Sequence, residues 1–133
     1  MHEILNIFIK LSSIDINSTI YTQSSDIAAS ARQYIEKNAL NDISINEIAN
    51  HVKTSRRTFL RQYTNTYNET PYRTITRFRL LASLDLLSST SKSITEIAEL
   101  VNIVPTSHFT QKFKEFYGLT PSQHRKNICS PKR

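Results

Sequence analysis

A chain of 133 residues supports one domain, or two very small ones sharing an element, because each half alone would bury too little surface to be stable. Its single glycine (Gly118) excludes glycine-rich phosphate loops, and its single cysteine (Cys129) excludes an intramolecular disulfide. A net charge of +6 favours a polyanionic partner.

No apolar run is long enough for a membrane span, and Met1-His2-Glu3 does not open a basic signal peptide. With one lone thiol, this fits a cytoplasmic protein. Residues 1–25 stand apart from the rest. Ile4, Leu5, Phe8 and Leu11 fall on one helical stripe, followed by a Ser/Thr/Asn-rich stretch to Ser25. Three readings stay open for this segment: a dimerisation helix, the remnant of an upstream domain, or a strap over the core.

From Asp26 the pattern is helical throughout. Asp26 is a candidate N-cap for a helix ending near Asn38, with Ile27, Ala31, Tyr34 and Ile35 inward. Ser44 and Ser93 each stand three residues before a glutamate, the spacing of a capping box in which serine and glutamate satisfy each other's free backbone N–H groups. These boxes open short helices at about 45–51 and 94–101, with Ile48/Ala49 and Ile97/Ala98 facing inward. A turn then leads to longer helices at about 55–67 and 105–117. In the first, Ser55 is the cap; Phe59, Tyr63 and Tyr67 share one face, and Arg56, Arg57, Leu60 and Arg61 another. In the second, Phe109, Phe113, Phe116 and Tyr117 point inward, leaving Thr106, Ser107, His108, Gln111, Lys112 and Lys114 outside. Pro105 suits that helix's first turn, and Asn102 stands where the preceding turn needs a left-handed residue. Between the two pairs, Pro71 opens a helix to about Ser88, with Ile75, Phe78, Leu81, Leu84 and Leu87 among its apolar positions. At 1.5 Å per residue it makes a strut of ~27 Å, comparable with the ~34 Å pitch of B-DNA.

The pairs are copies of each other. Ser44-Ile45-Asn46-Glu47-Ile48-Ala49 returns 49 residues later as Ser93-Ile94-Thr95-Glu96-Ile97-Ala98. Phe59, Tyr63, Tyr67 and Thr70-Pro71 return 50 residues later as Phe109, Phe113, Tyr117 and Thr120-Pro121, so the second copy has one extra residue in its central turn. Two similar units suit a repetitive partner such as a DNA duplex. Charge agrees: Lys53 to Arg79 holds seven Lys/Arg against Glu69 alone, which places the positive potential where a DNA-facing helix would lie.

Arg57 and Arg61, four apart on one helix, are spaced to grip guanine O6 and N7 in two-point fashion. Arg56, Lys112 and Lys114 suit phosphate, since flanking cations mostly position rather than specify. His2, His51, His108 and His124 have no zinc-ligand spacing, and no nucleophile elbow or Ser/His/Asp arrangement appears, so neither an enzyme, a metal nor a cofactor is expected.

Over residues 26–127 the chain resembles the DNA-binding domain of the AraC/XylS family of bacterial transcription regulators. The resemblance rests on Ser93 to Ala98, Ser107-His108-Phe109, Phe113-Lys114, and Tyr117-Gly118-Leu119-Thr120-Pro121 through Arg125, with Arg79-Leu80 and Leu86-Leu87 in the linker. Asn102-Ile103 stands for the family's usual Gly-Phe, His108 for an aromatic, His124 for tyrosine and Ser83 for alanine.

The resemblance implies an all-α fold of about seven helices: helix-turn-helix units at about 44–67 and 93–117, a linker helix at about 71–88, all within a domain at 26–129, then a basic tail at 130–133. It implies a regulator, in the activating sense, whose two recognition helices enter successive major-groove segments of double-stranded DNA. By matched position the first reads bases through Arg57, Leu60 and Arg61, the second through Thr106, Ser107, His108 and Gln111. RNA polymerase and, through residues 1–25, a second copy are further expected partners. The alternative is an adaptor that uses the same fold to bind a partner regulator or polymerase.

Overall fold

A computed structural model describes the backbone of residues 16–129 and the side chains of residues 26–129. The apolar stripe expected at Ile4 to Leu11 lies outside the described residues. Among the described residues there are seven helices and no strand: α1 (Ile16–Asn38), α2 (Ile45–His51), α3 (Arg56–Tyr67), α4 (Pro71–Ser89), α5 (Ile94–Leu100), α6 (Thr106–Tyr117) and α7 (Pro121–Cys129). Over these residues the fold is all-α, as the helical patterning and the family resemblance implied.

Local chemistry explains most boundaries. The Ser44 and Ser93 hydroxyls each accept from the backbone N–H three residues on, at 3.1 Å. The glutamate half of each box differs from expectation. Glu47 accepts from the Tyr34 hydroxyl at 2.8 Å, and Glu96 accepts from the Ser93 hydroxyl at 3.2 Å. Ser55 and Thr70 cap α3 and α4 by accepting from the Thr58 and Arg73 N–H groups. Pro105 stands just before α6 rather than in its first turn, and caps it with no side-chain hydrogen bond. Asp26 is a second correction: α1 begins at Ile16, so Asp26 lies inside the helix. Serine and threonine cost a helix only about 0.5 kcal/mol each, so a run of them need not end one.

The turns repeat as faithfully as the helices. Lys53 (φ 57°) and Asn102 (φ 60°) hold left-handed conformations after the short helices, so asparagine does here what the family's glycine does. Asn68 (φ 55°) and Gly118 (φ 82°) end the longer helices in the same way. Thr54 and Ile103 donate backbone N–H groups to the carbonyls of Ala49 and Ala98, both at 3.0 Å. The next equivalent pair is Ser55 and Pro105, so the extra residue is Val104, which is 53% exposed.

Each unit has its own core. The first gathers Ala28, Ala31, Ile35, Ile48, Ala49, Phe59 and Tyr63; the second gathers Leu80, Leu87, Ile97, Ala98, Phe109 and Phe113. Phe59–Tyr63 and Phe109–Phe113 meet edge-on with ring centres 5.7 and 5.9 Å apart. Burying each such side chain stabilises by about 1.5–3 kcal/mol.

Helix α4 belongs to both cores, on different faces. Its first half buries Pro71, Thr74 and Ile75 against the first unit; its second half buries Leu80, Ser83 and Leu87 against the second. At 100° per residue these stripes lie roughly 180° apart. Of the apolar positions expected on this helix, Ile75 and Leu87 are buried and Leu81 is 47% exposed, while Leu80 is fully buried. Ser83, where the family has alanine, is buried with its hydroxyl donating to the Leu80 carbonyl at 2.6 Å.

Candidate nucleic-acid interface

The two longer helices present equivalent outer faces with different chemistry. On α3, Phe59 and Tyr63 are buried and Arg57 and Arg61 are exposed; on α6, Phe109 and Phe113 are buried and Ser107 and Gln111 are exposed. At the 50-residue offset, Arg57 matches Ser107 and Arg61 matches Gln111. Helical geometry forces this, since positions two before and two after a buried residue turn away from the core. His108 and Lys114 are also exposed, the latter in the last turn of α6, where a cation is favoured.

Each pair of helices is laced across its turn at the same place. Arg56 donates to the Asn46 side-chain oxygen at 3.3 Å, and the Thr106 hydroxyl donates to the Thr95 hydroxyl at 3.3 Å. These bonds join the first residue of each longer helix to the second of each shorter one. Arg56 and Thr106 are thus equivalent positions, though the sequence assigned them phosphate and base contacts. Leu60 is half-buried against the first core, so it presents an edge to solvent rather than a whole side chain. Gln111 and Lys112 both reach Glu115, at 3.4 and 3.3 Å.

Not all of the positive charge faces outward, which corrects the simple count of cations. Arg79 donates to the carbonyls of Ala39, Asn41 and Asn102. Burial pulls its guanidinium below its ordinary pKa. Arg125 donates to the carbonyls of Leu87, Thr90 and Lys92, closing the end of α4. Both arginines donate to carbonyls at or just beyond helix ends, in the connections between elements. Arg77 donates to Glu69, which also accepts from Thr74 at 2.6 Å, and Thr74 accepts from the buried Tyr63 hydroxyl at 2.8 Å. Burial pushes the Glu69 carboxyl up. The hydrogen bonds from Thr74 and Arg77, with the charges of Arg77 and Arg32, outweigh that and hold it below the usual range.

Tyr72, Arg73 and Thr76 were not among the sequence candidates. Tyr72 accepts a hydrogen bond from Arg56 at 2.7 Å, and the Arg73 guanidinium lies 4.5 Å from the centre of the Phe116 ring. No spacing rule links Tyr72 to α3, sixteen residues away. Among the described residues no group of His, Cys, Asp and Glu could hold a metal ion, and no helix is long and apolar enough to cross a membrane.

Two helix pairs with a short capped helix, a left-handed turn and a basic or polar second helix form the geometry of a tandem helix-turn-helix. The helix-turn-helix domain family matches residues 48–127, more than half of the chain. The chain belongs to the AraC/XylS-type helix-turn-helix family. It is 33% identical over 91 residues to the HTH-type transcriptional regulator GbdR of Pseudomonas aeruginosa, covering 68% of this chain and 25% of that protein. A transcriptional regulator of Chromobacterium violaceum with an AraC-type DNA-binding domain superposes with a TM-score of 0.73 at 27% identity, covering 82% of this chain and 97% of that one. The xylose-binding transcription activator XylR superposes with a TM-score of 0.64 at 27% identity, over 75% of this chain and 26% of that one. The chain thus spans about a quarter of the length of GbdR and of XylR. Family membership makes it a sequence-specific DNA-binding domain. In the family's terms α3 and α6 are the recognition helices and α4 is the linker.

Proposed function

We propose that the chain acts as a transcription regulator whose helices α3 and α6 enter successive major-groove segments along one flank of a duplex. The observation that supports this reading is the equivalent exposed face on α3 and α6, repeated at one offset with arginines on the first and Ser/Gln on the second. Arg57 and Arg61 take base edges, with Leu60 offering apolar contact. Thr106, Ser107, His108 and Gln111 do the same in the second segment, while Arg56, Lys112 and Lys114 hold phosphates. The likeness to XylR, named as a transcription activator, supports activation, and with it contact with RNA polymerase. Dimerisation through residues 1–25 and residence on the nucleoid belong to the same reading.

The test is the salt dependence of binding to a duplex selected from a random pool. Neutralising several phosphates gives a log–log slope of about −0.9 per contact, so affinity falls steeply between low and moderate salt. A flat response would favour the adaptor, whose partner is a protein.

A further inference from the structure

Between the first two turns of α4 and the second half of α6 lies a cleft of about 380 Å³, lined by Thr70, Tyr72, Arg73, Thr76, Lys112 and Phe116. Two cations, three hydroxyls and the rings of Tyr72 and Phe116 line it. Arg73 is poised there: its side chain is 61% exposed and its guanidinium is held 4.5 Å from the Phe116 ring centre. The cation–π contact holds the charge at the ring, and with Glu69 no nearer than 3.9 Å the guanidinium N–H groups are available as donors.

Neighbouring acids leave this charge largely uncommitted. Glu69 directs Oε2 to Thr74 and Arg77 and meets Arg73 Nε only at 3.9 Å. Lys112 pairs with Glu115 at 3.3 Å, but both side chains are substantially exposed, so water and salt screen the pair. Neither glutamate lines the cleft. The Tyr72 hydroxyl accepts from Arg56 and keeps its own proton to donate.

The position of the cleft identifies its occupant. Lys112 and Phe116 line the cleft from α6, and Tyr72 on its other wall is bonded to Arg56, the first residue of α3, so the cleft adjoins both of the longer helices. A duplex that enters both helices' grooves must carry its backbone across the space between them. We propose that this cleft seats a backbone phosphate of the central duplex segment, with Arg73 as its main ligand, Lys112 as a second cation and the Tyr72 hydroxyl as a donor. The inference rests on the DNA-reading function above and adds Tyr72 and Arg73 to the interface.

A coupling experiment tests it. Duplexes carrying one neutral methylphosphonate at each central position in turn are titrated with the wild type, Arg73→Met and Tyr72→Phe. For the wild type, one or two adjacent central positions should weaken binding about tenfold, the loss of a hydrogen-bonded charge contact. Arg73→Met keeps an apolar side chain over Phe116; it should bind the natural duplex about tenfold more weakly, with a salt slope shallower by about 0.9. It should then lose nothing more from the methylphosphonate at that position. Tyr72→Phe, which retains every charge, should show a smaller loss coupled to the same position. Equal methylphosphonate effects in the wild type and Arg73→Met, with base preference retained, would overturn the cleft proposal alone. So would a thermal shift with inorganic phosphate that Arg73→Met abolishes while duplex binding stays unchanged. A wild type that binds no duplex even at low salt would overturn the DNA reading itself, and the cleft with it.

Discussion

The guanidinium of Arg79 donates to the backbone carbonyl of Asn102 at 3.1 Å, while the same group holds the carbonyl of Asn41 at 2.9 Å and that of Ala39. One side chain on the linker helix therefore joins the end of α1, in the first unit, to the turn that precedes the recognition helix of the second. This bracket ties the two units together beside the helix α4 that they share.

Replacing Arg79 by alanine removes the donor from the carbonyls of Ala39 and Asn102, while that of Asn41 keeps the Ile43 N–H at 3.0 Å. Each partly buried acceptor so abandoned costs about 1–3 kcal/mol where water cannot replace the bond. Arg79→Ala should lower the denaturant midpoint clearly, and Arg79→Lys should restore only part, because an ammonium cannot reproduce the planar fork. Chemical unfolding of the three proteins checks this.

Asn102 and Gly118 are required for their backbone. Nothing lies within 4 Å of a methyl group placed on Gly118, so Gly118→Ala should destabilise through its φ of 82° and not through a clash. About 1 kcal/mol is expected, the left-handed penalty for a residue with a Cβ. Asn102→Gly should be tolerated, and Asn102→Val should cost at least as much as Gly118→Ala. Thermal melts of the three variants decide it.

Glu69 gives stability a dependence on pH. Its carboxyl lies below the ordinary range in the folded chain, so its contribution is complete above the unfolded value of about 4.3 and fades as pH falls through the lower folded value. The stability gap between wild type and Glu69→Gln should be widest near neutrality and close progressively in acid. Denaturant titrations at a series of pH values give the curve; a gap that widens in acid would contradict the assignment.

Lys114 and Arg57 should separate affinity from specificity. Lys114→Ala should weaken matched and scrambled duplexes alike and make the salt slope shallower by about 0.9. Arg57→Ala should cost about 1–3 kcal/mol on the matched duplex and relax preference at one base pair. Competition binding with single-base variants is the measurement.

The repeat made the fold legible. Ser44 and Ser93 announced the short helices, and Phe59, Tyr63, Phe109 and Phe113 announced the packed faces of the longer ones, because local capping and 3.6-residue periodicity act within a few residues. What stayed hidden depends on contacts distant in sequence. The apolar positions on α4 did not show which of them are buried, because one helix serves two cores on opposite faces: Leu80 is buried and Leu81 exposed. Arg79 and Arg125 counted as surface charge because nothing in their spacing reveals carbonyls 23 to 40 residues away. Tyr72 escaped for the same reason.

The most direct test of two tandem readers is specificity profiling of Arg57→Ala and Gln111→Ala on a duplex selected by the wild-type protein. The account predicts that each variant relaxes base preference in its own block, the two blocks centred about 10 base pairs apart on one face of the duplex. Relaxation of the same block by both variants, or of neither, would contradict it.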